Sequence, residues 1–304
     1  MSNATKEKKK LFKGERTAST IVICICLVGF LVAVIFDQKA IVTAVLAALA
    51  ATATFEVTRA VGTKHKIVYI LACTVRAFTV LAEGFAVALP PAGILICLYA
   101  LVLMCLMVAL NKHIQFIHCA TAFFASLALP FAFLCFLRLN NVADWFSGYT
   151  HHEGVYFVGL GFACSWFTDT FAYLVGRKFG KHKMAPVISP KKSVEGAIGG
   201  VVVAAAFNVL ILYLFVLGCK NLYGYDLFGT GSMKYLLIIP VSMILSVVSM
   251  IGDLAASVLK RNFGIKDYSQ LLPGHGGIMD RFDSCIFVLP TIYCILKLFA
   301  EIRG

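Results

Sequence analysis

Long apolar runs alternate with short polar segments along the whole chain. Nine runs approach the length at which a helix crosses a bilayer, about 20 residues: 19–36, 40–57, 67–89, 92–110, 115–137, 154–176, 196–218, 235–257 and 278–300. Lipid offers no partners for backbone N–H and C=O groups, so each run is expected to satisfy its backbone internally as a helix. The expected fold is all-α, a polytopic integral membrane bundle of about nine transmembrane helices. The second run is short and ends in the charged Glu56 and Arg59, and no internal repeat is visible.

Composition agrees with this pattern. The 304 residues are 60% hydrophobic and 14% charged, where soluble chains carry roughly 25% charged residues. The net charge of +12 would suggest nucleic acid in a soluble protein. In a membrane protein it reflects cytoplasmic loops and contact with anionic lipid heads, and no basic-aromatic recognition module argues for a nucleic-acid partner. With the N-terminus in the cytoplasm, about 20 of the 27 Lys and Arg residues fall in inner segments and about five in outer ones, the asymmetry expected of a correctly oriented bundle. Residues 1–18 form a basic cytoplasmic tail, and the first apolar run reads as a transmembrane helix, not as a removed signal. The eleven cysteines lie mostly inside apolar runs with no Cys-x-x-Cys pair, so they read as small buried apolar residues. The expected organisation is the tail at 1–18, a set of N-terminal transmembrane helices over 19–150, and a C-terminal transmembrane domain over 151–304. Its cytoplasmic loops, 177–195 and 258–284, carry the chemistry.

Charges inside a span are costly and are usually paired or functional. Arg76 and Glu83 sit seven apart on one face of the third run, where mutual pairing, helix packing and a role near a lipid head group all remain open. Residues 138–153 read as an outer loop with interface aromatics. Its adjacent His151 and His152 diverge on regular structure and make a poor metal pair.

Two polar stretches stand out. In the first, Asp169, Tyr173 and Gly176 are spaced for one face near the inner end of the sixth run. Ser193 with Gly196 can cap the seventh helix, and Glu195 suits its positive end. A positive-inside loop accounts for Arg177, Lys178, Lys181 and Lys183 but not for an aspartate within a span. In the second, Asp253, Ser257 and Lys260 are spaced i, i+4, i+7 and share a helical face. Asp280 and Asp283, three apart, would share a face of the next helix. The turn Pro273-Gly274-His275-Gly276-Gly277 supplies flexible backbone that can aim N–H groups at an anion. Acidic residues can hold a divalent metal and basic residues can hold phosphates, a combination suited to phosphoryl or nucleotidyl transfer.

The run Ser257-x-x-Lys260-Arg261, Lys266-Asp267, His275-Gly276-Gly277-x-x-Asp280-Arg281-x-Asp283 resembles the signature of the phosphatidate cytidylyltransferases, or CDP-diacylglycerol synthases. Asp169-x-x-Ala172-Tyr173-x-x-Gly176-Arg177 and Ser189-Pro190-x-Lys192-Ser193-x-Glu195-Gly196 are similar to further motifs of that family. The resemblance covers roughly 165–285; the N-terminal half matches only in being a run of helices. It implies transfer of a cytidylyl group from CTP to phosphatidate, releasing pyrophosphate, in phospholipid biosynthesis. The active site would lie at the cytoplasmic face of the cell membrane. It also implies candidate catalytic residues Lys260, Asp253, Asp280, Asp283 and His275. Asp253 and Asp280 would be the leading Mg²⁺ ligands, with Asp283 and Asp169 next and a second cation left open. Ser189, Lys192, Ser257, Arg261, Lys266, Gly276, Gly277 and Arg281 would bind substrate. For His275 a purely structural turn role stays open. A homodimer is a family-level expectation, with the first spans as its interface. The alternatives are another CTP-dependent lipid transferase, such as a polyprenol or diacylglycerol kinase, a non-catalytic lipid-binding relative, and a polytopic transporter. A transporter should place its polar residues near the midplane, whereas here they collect at one face.

Overall fold

A computed structural model describes residues 24–62, 66–87, 92–229, 231–271 and 276–303. Its helices are α1 (Cys24–Ile35), α2 (Lys39–Ala60), α3 (Lys66–Gly84), α4 (Ala92–Ala109), α5 (Phe116–Asn140), α6 (His151–Phe179), α7 (Val194–Tyr223), α8 (Met233–Asn262), α9 (Met279–Phe282) and α10 (Cys285–Arg303). A two-stranded antiparallel hairpin, β1 (Lys183–Ala185) and β2 (Ser189–Ser193), joins α6 to α7.

Among the described residues seven helices, α2, α3, α5, α6, α7, α8 and α10, are long and apolar enough to cross a membrane; α1 and α4 are apolar but shorter. The outer faces decide between a lipid and a water environment. Leu101, Val108, Ile198, Leu214, Leu236, Ile244 and Leu298 are all exposed, a surface that water would not tolerate and that lipid matches. The protein is therefore a helical, multi-pass membrane protein.

Three sequence expectations need correction. The last apolar run, expected as one helix over 278–300, is broken: α9 is a single turn, Asp283 and Ser284 form a turn, and the long helix begins at Cys285. The Asp283 side chain accepts the Ser284 amide (2.9 Å), a local bond that competes with the helical ladder. Asp280 and Asp283 thus do not share a helical face. Second, the segment 138–153 is mostly helix. α5 runs to Asn140, a 3₁₀ turn spans Val142–Asp144, and α6 starts at His151, where Glu153 accepts the Thr150 amide at 2.8 Å in a capping box. Third, Cys24, Cys26, Cys97, Cys105 and Cys294 are exposed and not buried; all eleven cysteines are free.

The chain forms two compact units, residues 1–130 with 265–281 and residues 131–264 with 282–304, the first division falling inside α5 at Pro130. In the first unit α3, α4 and α5 share a core of Val68, Ala72, Tyr99, Leu103, Ile114, Cys119 and Ala122. The buried Arg76 places its guanidinium over the Tyr99 ring, 5.4 Å from the centroid, a cation–π contact that gives a charge within a span a partner. α2 packs on α3, with Phe55 edge-on to Tyr69.

In the second unit α6, α7, α8 and α10 form a bundle. α6 and α7 approach backbone to backbone. A methyl group on Gly196 would lie 2.5 Å from the Ala172 carbonyl oxygen, and one on Gly200 would lie 2.8 Å from that of Thr168, so small residues set the interhelical distance. Ser193 caps α7 by accepting the Gly196 amide (3.2 Å), as its sequence position predicts. Glu195 accepts the Lys181 and His182 amides at 3.1 and 3.2 Å and meets His182 Nδ1 at 2.6 Å. The first turn of α7 thereby fixes the hairpin that carries Lys192.

Candidate active site

Four elements of the second unit bring charged side chains together. α6 supplies Asp169, β2 supplies Lys192, α8 supplies Asp253 and Lys260, and the turn before α10 supplies Asp283 and Ser284. The Lys192 ammonium is paired with Asp253 Oδ2. Lys260 Nζ lies 3.6 Å from Asp283 Oδ2. Ser284 donates its hydroxyl to Asp169 Oδ2 at 2.8 Å. The close pass of the Asp283 turn over α8 depends on Gly252, where a methyl group would come within 3.0 Å of the Asp283 carbonyl oxygen.

These groups are largely withdrawn from solvent. Side-chain exposure is 23% and 20% for Lys192 and Asp253, and 11% and 13% for Lys260 and Asp283. At that depth charges interact far more strongly than on a wet surface. Burial, reinforced by the nearby Asp253 carboxylate and opposed by the Lys260 ammonium, pushes the Asp283 carboxyl up to about 7. Repulsion among carboxylates is thus built into the cluster.

The donor set suits a hard cation. Three aspartates, Asp169, Asp253 and Asp283, face two lysines, Lys192 and Lys260, so acidic groups are in excess and every candidate ligand atom is oxygen. Among the described residues no three His, Cys, Asp or Glu side chains are already gathered as a metal cage. The Lys192 ammonium already occupies Asp253 Oδ2.

The other expected residues are distributed as follows. Ser257 is half-buried on α8 one turn from Asp253, and Arg261 is exposed at the end of that helix. Ser189 is half-buried at the start of β2. Lys266, Gly276, Gly277, Asp280 and Arg281 belong to the first unit. There Lys266 and Arg281 are exposed, and Gly276 takes the left-handed φ of 81°. Asp280 Oδ2 accepts the Tyr268 amide at 2.9 Å and the Gly277 amide at 3.0 Å. His275 lies outside the described residues. The His152 ring lies against Tyr223, with ring centroids 4.3 Å apart and planes tilted by 32°.

Two features of the first unit escaped the sequence reading. Glu56 of α2, expected as a span end, is buried at 2% exposure and accepts hydrogen bonds from Ser269 and from the Ile278 and Met279 amides. A cavity of about 590 Å³ opens beside it, lined in part by Phe55, Arg59, Tyr268 and Leu271. The available signal was a carboxylate within an apolar run. Ser284 in the second unit was also missed, since a serine next to an aspartate carries no distinctive pattern.

Over 147 residues the chain is 41% identical to a phosphatidate cytidylyltransferase of Staphylococcus haemolyticus (strain JCSC1435), covering 48% of this chain and 51% of that protein. Phosphatidate cytidylyltransferases of Staphylococcus aureus (strain COL) and Staphylococcus epidermidis (strain ATCC 35984) are 42% and 43% identical over the same length and the same shares. The chain thus spans about half the length of the curated relatives it matches. The sequence profile of the cytidylyltransferase family matches residues 16–299. With nearly the whole chain matched, this protein belongs to the cytidylyltransferase family.

Proposed function

We propose that the protein transfers the cytidylyl group of CTP to phosphatidate, giving CDP-diacylglycerol and pyrophosphate. The observation that carries this reading is the half-buried cluster of Asp169, Lys192, Asp253, Lys260 and Asp283, drawn from four elements of one unit. A phosphate oxygen of phosphatidate forms a bond to the α-phosphorus of CTP, and the bond from that phosphorus to the bridging oxygen breaks, releasing pyrophosphate. The attacking oxygen is already anionic, so no proton has to be removed. The difficulty is bringing two polyanions together.

Lys192 and Lys260 would supply fixed positive charge to the phosphates, with Ser257 and Ser189 as hydroxyl donors. Asp253 and Asp283, assisted by Asp169, would hold Mg²⁺. Bound there, the ion would neutralise phosphate charge and polarise the α-phosphoryl group. Ser284 would orient Asp169 through its hydrogen bond. By resemblance, Gly276, Gly277 and Arg281 would bind substrate, and Asp280 would be a further Mg²⁺ ligand. The excess of Lys and Arg in the loops after α6 and α8 supports a cytoplasmic active site in the cell membrane, reached by CTP from water and by phosphatidate from the leaflet.

The position of the label separates this reading from a lipid kinase. Purified protein in detergent is given phosphatidate, Mg²⁺ and CTP labelled at either the α- or the γ-phosphorus. Label entering lipid only from the α position is the expected result. Entry from the γ position would replace it with phosphoryl transfer, and absence of any transfer by folded protein would overturn it.

A further inference from the structure

We infer that Glu56, in α2 and outside every signature motif, is a positioning residue that holds the signature residues from Gly276 to Asp280 in their working shape. The inference rests on the proposed function to the extent that it gives the turn a role in the reaction. The geometry itself lies wholly within the first unit.

Glu56 sits near the end of an apolar helix and is buried at 2% exposure. Its Oε1 accepts the Ser269 hydroxyl at 2.6 Å and the Ile278 amide at 3.0 Å; its Oε2 accepts the Met279 amide at 2.8 Å. Ser269 Oγ in turn accepts the Leu271 amide at 3.2 Å. One carboxylate therefore ties the segment 269–271 to the segment 278–279. Asp280 makes a second tie between the same two stretches, through Tyr268 and Gly277. A buried carboxylate this well supplied with donors is costly to remove, because each amide it serves would lose its partner.

The fit is tight. A methyl group on Gly277 would lie 2.5 Å from Glu56 Oε2, so a larger residue there would displace the carboxylate from its amides. The His275-Gly276-Gly277 motif thus owes its second glycine at least partly to Glu56, a reason separate from any approach to phosphate. Glu56 also lines the cavity to which Tyr268, Ser269, Gln270 and Leu271 contribute wall. Loosening the tie would move that wall as well as the turn.

The test pairs hydrogen exchange with kinetics on the full chain in detergent, using Glu56→Ala and Ser269→Ala. Exchange is read without substrate, so it stands or falls independently of the cytidylyltransferase reading. For Glu56→Ala, exchange at residues 276–281 should rise at least tenfold, with α3 and α6–α8 unchanged. Its kcat/KM for CTP should fall at least tenfold per folded molecule. Ser269→Ala, which removes one tie, should show the same pattern more weakly, and it carries the test if Glu56→Ala does not fold. Unchanged exchange at 276–281 would overturn the inference. So would exchange that rises throughout α2 and α3 with kcat/KM per folded molecule unchanged, the mark of a residue that only stabilises the unit. If the wild type exchanges as expected but transfers no cytidylyl group, the functional reading fails and the tie remains.

Discussion

The Lys192 ammonium, on a five-residue strand, is paired with the carboxylate of Asp253, in the C-terminal third of α8. Neither residue is near the other in sequence: Lys192 lies in the hairpin after α6 and Asp253 on a face of α8. Their pairing makes one cluster of two sequence motifs. Removing the lysine leaves a half-buried carboxylate beside Asp283 with less compensation. Lys192→Met should lower turnover by about 10²–10³, the scale of losing one preorganised electrostatic contact. Steady-state kinetics with CTP and phosphatidate would check this, alongside a melting temperature to show that the variant is folded.

Ser284 offers a subtler probe. Its hydroxyl reaches Asp169 Oδ2 at 2.8 Å. Ser284→Ala removes about 1 kcal/mol of hydrogen bonding without removing charge. Turnover should fall roughly five- to tenfold, and the Mg²⁺ concentration for half-maximal rate should rise, because Asp169 is less well held. A Mg²⁺ titration of the variant reads both quantities.

The α6–α7 contact makes a prediction about stability. Gly196→Val would force a side chain against the Ala172 carbonyl, where even a methyl group lies at 2.5 Å. Such overpacking typically costs about 1–3 kcal/mol, so the melting temperature in detergent should drop. Gly218→Ala, on the same helix with nothing within 4 Å of the added methyl, should leave it unchanged or slightly raised.

Asp280 separates two roles. Asp280→Asn keeps an oxygen to accept the Tyr268 and Gly277 amides but removes the carboxylate charge. Turnover is expected to fall about 10²-fold while hydrogen exchange over 276–281 stays near the wild-type level. Full Mg²⁺-dependent turnover in this variant would mean that Asp280 serves only to shape the turn.

Much of the second unit was legible because its signals are local. The spacing of Asp253, Ser257 and Lys260 needs only a helix to become a shared face, and α8 provides it. The Ser193 cap likewise follows from one residue and the helix after it. What the sequence hid depends on long-range contacts or on competition between local bonds. Glu56 meets Ile278 and Met279 more than two hundred positions away, and nothing in an apolar run announces which loop will fold onto it. The hairpin Lys183–Ser193 is short, lysine-rich and lacks an alternating apolar pattern, so periodicity could not find it. The break before Cys285 was missed because Asp280, Arg281, Asp283 and Ser284 stand at the polar start of a long apolar run, and the hydrogen bond from the Ser284 amide to Asp283 that ends the first turn is decided at atomic scale.

On the proposed function, the Asp169–Lys192–Asp253–Lys260–Asp283 cluster is the reaction centre. The most direct measurement is transfer of α-labelled CTP to phosphatidate across a Mg²⁺ titration, for the wild type and for Asp253→Asn, with melting temperatures recorded for both. Labelled lipid from the wild type should rise with Mg²⁺ and vanish with chelator. Asp253→Asn should lose at least about 10²-fold at every Mg²⁺ concentration, in a protein that melts as the wild type does. An Asp253→Asn protein with wild-type turnover and an unchanged Mg²⁺ dependence would contradict that reading.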